Sequence, residues 1–138
     1  MDTYFSFNLL CPLFTLRINV WNFNETKTDS KQLRKHIIEN FDSDIFGLCE
    51  TYLKNDNGMY MPGFTWYGNN RQHFSCRAVR GSGGVGILVK NELLNDYFAT
   101  VLDKSYEGIF WLRLTSKYDN SFYINICIAY LIPESSII

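Results

Sequence analysis

Asp44–Cys49 reads DIFGLC, one acid followed by five apolar or small residues, with Ser43 before it and Glu50 after it. A run that short and that apolar fits a strand buried on both faces. Upstream, Leu16, Ile18 and Val20 alternate with Arg17 and Asn19, the period-two signature of a strand over Phe14 to Val20. Between the two runs, Asn22 to Ser30 is polar and loop-like. Ser30 can then cap a helix to about Asn40, with Leu33, Ile37, Ile38 and Phe41 on one face. Strand, crossover helix, strand implies two parallel strands in one sheet. The fold class is therefore α/β in its opening part.

Beyond Cys49 the character changes. Asn55–Gly58 and Pro62–Gly63 are turn signals. Phe64–Tyr67 reads as a brief strand, Asn69–Gly84 as a polar, basic, glycine-rich loop, and Val85–Val89 as a strand. Asn91–Asn95 fits a short turn or helical piece. Tyr97–Leu102, Gly108–Thr115 and Phe122–Leu131 read as three more strands, with a hairpin turn at Tyr118–Ser121. One long helix cannot cover that much sheet, so a second, mostly antiparallel sheet is expected (an α+β arrangement with few helices).

Composition narrows the function classes. The chain has 138 residues, 46% of them hydrophobic and 20% charged, which suits one domain and excludes wholesale disorder. Thirteen Lys and Arg stand against 14 Asp and Glu, so a bulk-basic nucleic-acid coat and a polybasic membrane anchor are excluded. The 11 Phe, 9 Tyr and 3 Trp point to a sheet-rich core. Cys11, Cys49, Cys76 and Cys127 form no CxxC pair, which reads as an intracellular protein, nuclear or cytoplasmic, with no disulfide framework. Residues 1–13 are apolar but lack a basic start and are shorter than the roughly 20 residues that span a bilayer. They are expected to form a leader outside the fold, with the domain over 14–138.

Glu50 is the most informative single residue. Ligands of α/β folds gather at the carboxyl ends of parallel strands, and a carboxylate there can hold a hard cation such as Mg²⁺. The plain alternative is the first solvated residue after a strand. Asn19 and Asn22, in LRINVWNFN, lie near the end of the neighbouring strand. One of these amides should emerge beside Glu50, to hold a phosphate oxygen or simply to make a turn. Tyr130 ends the last strand, where its hydroxyl can meet a phosphate or be an ordinary strand tyrosine. Arg71, His73, Arg77 and Arg80 make the Asn69–Gly81 loop the one clear basic patch. Gly81, Gly83 and Gly86 spell GxGxxG, but after a loop and before a strand. The match to a dinucleotide motif is accidental, and these glycines read as aids to a tight turn.

Taken together, INVWNFN, DIFGLCETYL, PGFTWYGNNR, RGSGGVGILVK and CIAYLIPESS resemble, in order and spacing, the endonuclease/exonuclease/phosphatase superfamily. Within it they are most similar to the endonuclease domains of non-LTR (LINE-type) retrotransposons. Pro133 favours that branch, because apurinic endonucleases usually carry Asn there. The resemblance implies a four-layered α/β sandwich. It implies Glu50 as a ligand of Mg (or Mn), Tyr130 as a contact of the scissile phosphate, and Asn19 or Asn22 as the motif asparagine. Asn19 has the better apolar register, and Asn22 matches a Trp-Asn variant. Arg71, Arg77 and Arg80 would meet the DNA backbone.

The family's Asp-x-Asn and Ser-Asp-His motifs lie beyond the strand that Tyr130 ends, and His36 and His73 stand too early to replace them. From sequence, the chain is thus expected to be the N-terminal part of such a domain. It would be a truncated, inactive remnant of a DNA-nicking retrotransposon endonuclease, with a partner or neighbouring chain covering the truncated sheet and no membrane attachment. The alternatives are a non-catalytic interaction module using exposed sheet edges, and another phosphodiesterase or phosphatase of the superfamily.

Overall fold

The computed structural model describes residues 4–11, 14–22, 39–40, 42–49, 51, 58–70 and 84–130. Their elements are strands β1 (Tyr4–Cys11), β2 (Phe14–Asn22), β3 (Ile45–Cys49), β4 (Phe64–Asn69), β5 (Val85–Lys90), β6 (Tyr97–Asp103), β7 (Ile109–Ser116) and β8 (Tyr123–Ala129). A single 3₁₀ turn, Leu93–Asn95, joins β5 to β6. The strands form two sheets, one of order β1-β2-β3-β5-β4 and one of order β6-β7-β8.

The β2–β3 pair is parallel, from Ile18 opposite Ile45 to Asn22 opposite Cys49. Every other pair is antiparallel. The fold is the expected α/β sandwich of mostly antiparallel strands. The parallel pair is the one the DIFGLC run and its upstream strand imply. Of the crossover helix, only Glu39 and Asn40 fall within the described residues, and both are helical.

Strand alternation explains the core. Ile18, Ile45, Cys49, Val85, Ile87 and Val89 of the first sheet meet Phe110, Leu112, Leu114 and Ile128 of the second. The opposite face of the first sheet buries Trp21, Phe46, Leu48 and Leu88 against Met61. All five residues of β3 are buried because both its faces are covered, as a near-continuous apolar run requires. In β7, by contrast, Phe110, Leu112 and Leu114 are buried while Trp111 is exposed, the pattern of a strand covered on one face.

Two expectations are corrected. The apolar segment 1–13 does not lie wholly outside the fold: Tyr4–Cys11 is the edge strand β1, paired with β2 from Tyr4–Trp21 to Cys11–Phe14. An uncharged apolar stretch next to a strand gains more by joining its ladder than by standing apart from it. Gly86 is also not a turn device. It and Gly68 lie under the indole of Trp66, and a Cβ on either would collide with the ring. A large aromatic is packed flat on a sheet only where its neighbours lack side chains.

At one end of the first sheet, Asp44 ties β2 to β3. Its Oδ2 accepts the Arg17 N–H at 2.9 Å, and its own N–H donates to the Arg17 carbonyl at 2.9 Å. Asp42 pairs with Arg17 there and also lies 3.8 Å from Lys90. The acid that opens DIFGLC is thus a structural clasp, at the far end of the strand from Glu50.

Candidate functional site

At the other end of the first sheet lie two of the candidate residues, Asn22 and Tyr130. β2 and β3 run in parallel and finish together, Asn22 opposite Cys49. β5 starts there, with Val85 opposite Cys49, and β4 finishes there, with Asn69 opposite Val85. Beyond β3, the Thr51 N–H donates to the Gly84 carbonyl at 3.3 Å, so the chain after position 50 stays on this rim.

The second sheet reaches the same rim. Asn69 Nδ2 donates to the carbonyls of Tyr106 (2.7 Å) and Ile109 (3.0 Å). Ile109 pairs with Ala129, the last residue of β8. Tyr130 follows, and its N–H donates to the Gly108 carbonyl at 2.7 Å. Gly108 has φ of +80°, and a Cβ on it would lie 2.5 Å from the Tyr130 carbonyl oxygen, so glycine is required twice over. Deeper between the sheets, a Cβ on Gly47 would lie 2.9 Å from Ile128 Cδ1. β8 therefore sits close over β3, with its carboxyl end at the rim.

The sequence-derived residues are placed as follows. Tyr130 is half-buried and packs against the inter-sheet core. Asn22 is half-buried at the last position of β2, on the side of Ile18 and Val20. Asn19 is 4% exposed and lies opposite Phe46, three residues below the strand end, on the face of Trp21. The two asparagines thus occupy opposite faces of the sheet. Glu50 lies outside the described residues, between Cys49 and Thr51, which are both buried. Arg71, His73, Arg77 and Arg80 also lie outside them. The flanks of their loop, Asn70 and Gly84, are both on the rim and buried.

Sequence reading missed Asn69 and Thr51. Asn69 was grouped with the basic loop, and nothing local distinguishes a loop asparagine from one that bridges two sheets. Thr51 is 1% exposed, and its hydroxyl has no hydrogen-bond partner among the described residues. It is a buried oxygen left over at the rim beside position 50.

A divalent metal needs hard oxygen donors. The described rim carries the Asn22 amide, the Tyr130 phenol and the Thr51 hydroxyl, oxygen groups of that hard class but all neutral. Among the described residues no three His, Cys, Asp or Glu side chains gather into a metal-holding group. A carboxylate ligand for such an ion would have to come from outside the described residues. No described helix is long and apolar enough to cross a membrane.

No curated protein and no solved structure matches the chain. A family model does match, over residues 18–130, that of the Endonuclease/Exonuclease/phosphatase family. The span runs from Ile18 of β2 to Tyr130 and takes in β3 to β8 and the rim, leaving out the edge strand β1. Enzymes of this kind are nucleases and other phosphodiesterases, generally metal-dependent. With 113 of its 138 residues matched (130 − 18 + 1) and its strand ends gathered at one rim, the chain belongs to the Endonuclease/Exonuclease/phosphatase family.

Proposed function

We propose that the rim is the phosphodiester- and metal-binding side of a retrotransposon-type endonuclease, and that DNA is its ligand. Glu50 holds Mg (or Mn), and Tyr130 hydrogen-bonds the scissile phosphate. Asn22 or Asn19 holds a phosphate oxygen, while Arg71, Arg77 and Arg80 follow the DNA backbone. When bound, the ion supplies charge neutralisation at the phosphate and a more acidic water. The protein is placed inside the cell, in nucleus or cytoplasm.

The observation that carries this reading is the convergence at one rim of Asn22, the chain on both sides of position 50, and Tyr130, in a chain of this family. An anion-binding site built from amides, a phenol and a neighbouring basic loop needs no high net charge, consistent with a formal charge of −1.

We further propose that this chain binds phosphodiester and metal without turning DNA over by itself. Incubation of supercoiled plasmid with Mg²⁺ tests this. Wild type and Glu50→Gln should give the same background nicking. Nicking by wild type that Glu50→Gln abolishes would overturn the inactivity and leave the site intact.

A further inference from the structure

Independently of what the rim binds, the outer edge of β8 has the character of a pairing surface. Among the described residues β8 is hydrogen-bonded on one side only, to β7. Its sequence, YINICIA, holds no charge, no proline and no glycine. Its ladder with β7 runs unbroken from Ile109–Ala129 to Thr115–Tyr123. Proteins guard free edges with charges, prolines and bulges. β6, the other edge of the same sheet, has such guards: Asp103 and an irregularity between Val101 and Asp103. β8 has none.

Among the described residues nothing fully covers the core side of this flank. Ile124 and Ile126 point to the core side yet remain half-exposed, while the β7 residues paired with them, Leu114 and Leu112, are fully buried. A further strand beside β8 would satisfy its free backbone groups and cover both isoleucines. β1 is also an uncharged edge, but it belongs to the other sheet and does not flank these residues.

The strand fits a second copy of itself. Antiparallel pairing centred on Ile126 places Ile124 opposite Ile128, Asn125 opposite Cys127 and Tyr123 opposite Ala129. Every isoleucine then lies on the core side, and no charges of like sign meet. Such a contact is isologous and closes at two copies. We propose that the chain forms a twofold dimer through β8, joining two three-stranded sheets into one of six.

Sedimentation of the full chain at micromolar concentration should give twice 16.1 kDa. A monomer throughout that range overturns the proposal. Ile126→Lys sets two lysines against each other on the axis and should yield folded monomer by sedimentation and circular dichroism. A folded dimer of this variant also overturns it. Because that variant can fail to fold, a covalent trap provides the second test. Asn125→Cys puts a thiol directly opposite the second copy's Cys127, so mild oxidation should link two chains. Wild type, with its Cys127 residues staggered across the axis, should not link through them. A dimer in which Asn125→Cys forms no interchain disulfide to Cys127 uses another surface, and the proposal fails.

Discussion

Gly47 of β3 and Ile128 of β8 touch across the two sheets so closely that a Cβ on the glycine would lie 2.9 Å from the isoleucine Cδ1. This contact brings the two sheets close together below the rim. Gly47→Ala should destabilise the fold by about 1–3 kcal/mol, the usual cost of overpacking a core. Ile128→Val removes the opposing carbon and should itself cost about 0.5–1.5 kcal/mol. The double variant should then be more stable than the sum of the two losses predicts. Urea unfolding of the four proteins measures this, and simple additivity would show that the sheets do not meet at this pair.

Asn69 makes the second tie between the sheets, donating to the carbonyls of Tyr106, in the turn before β7, and Ile109, the first residue of β7. A side-chain amide nitrogen carries two hydrogens, so both bonds form at once. Asn69→Leu should cost about 0.5–1.5 kcal/mol for each bond lost, the net worth of hydrogen bonds that are exposed or part-buried. It should also speed hydrogen exchange at the Tyr130 amide, which is anchored to the same turn through Gly108. Unchanged exchange at Tyr130 would separate the two anchors.

Much of this arrangement is legible in the sequence, and for physical reasons. The DIFGLC run announces a doubly covered strand because burial on both faces demands it, and β3 is buried throughout. The alternation in β7 is equally direct. What sequence reading misses is non-local. Nothing in YFSFNLLC distinguishes a detached apolar leader from an edge strand, because the difference lies in its pairing with β2. Gly86 looks like a turn residue until Trp66 is seen to lie across it. Asn69 and Thr51 gain their roles from partners or burial set by distant segments. Of the candidate site, the placement of Asn22 and Tyr130 at one rim follows from strand order, whereas the depth of Asn19 depends on register.

Asp44 should matter for stability and not for binding. Its carboxylate accepts the Arg17 amide and its own amide returns the bond, at the end of β3 away from the rim. Asp44→Ala removes a hydrogen bond to a charged acceptor and should cost about 1.5–3 kcal/mol. Asp44→Asn keeps an acceptor and should cost less. Phosphate or metal affinity of either variant should equal that of wild type once folded. A selective loss of affinity in Asp44→Asn would contradict the assignment.

The Cys127 thiol is pushed above its ordinary value by desolvation on β8. A thiol with a raised folded-state value stays protonated longer than in the unfolded chain. Its contribution to stability is present below the unfolded thiol value and is lost as pH rises through the folded one. Alkylation of Cys127 by iodoacetamide, followed peptide by peptide, should therefore be slower in the native chain than in urea at mildly alkaline pH. The difference should shrink as pH climbs further. A native rate above the unfolded one would mean a thiolate-stabilising neighbour.

The central claim is that the rim formed by the ends of β2, β3 and β8 holds a divalent ion through Glu50. Binding of Mn²⁺ to the full chain, read from the loss of free-ion electron paramagnetic resonance signal, tests it without requiring turnover. Wild type should bind one ion, and Glu50→Gln should weaken binding at least tenfold with an unchanged circular dichroism spectrum. Equal Mn²⁺ binding by the two proteins, or none by wild type, would contradict the account.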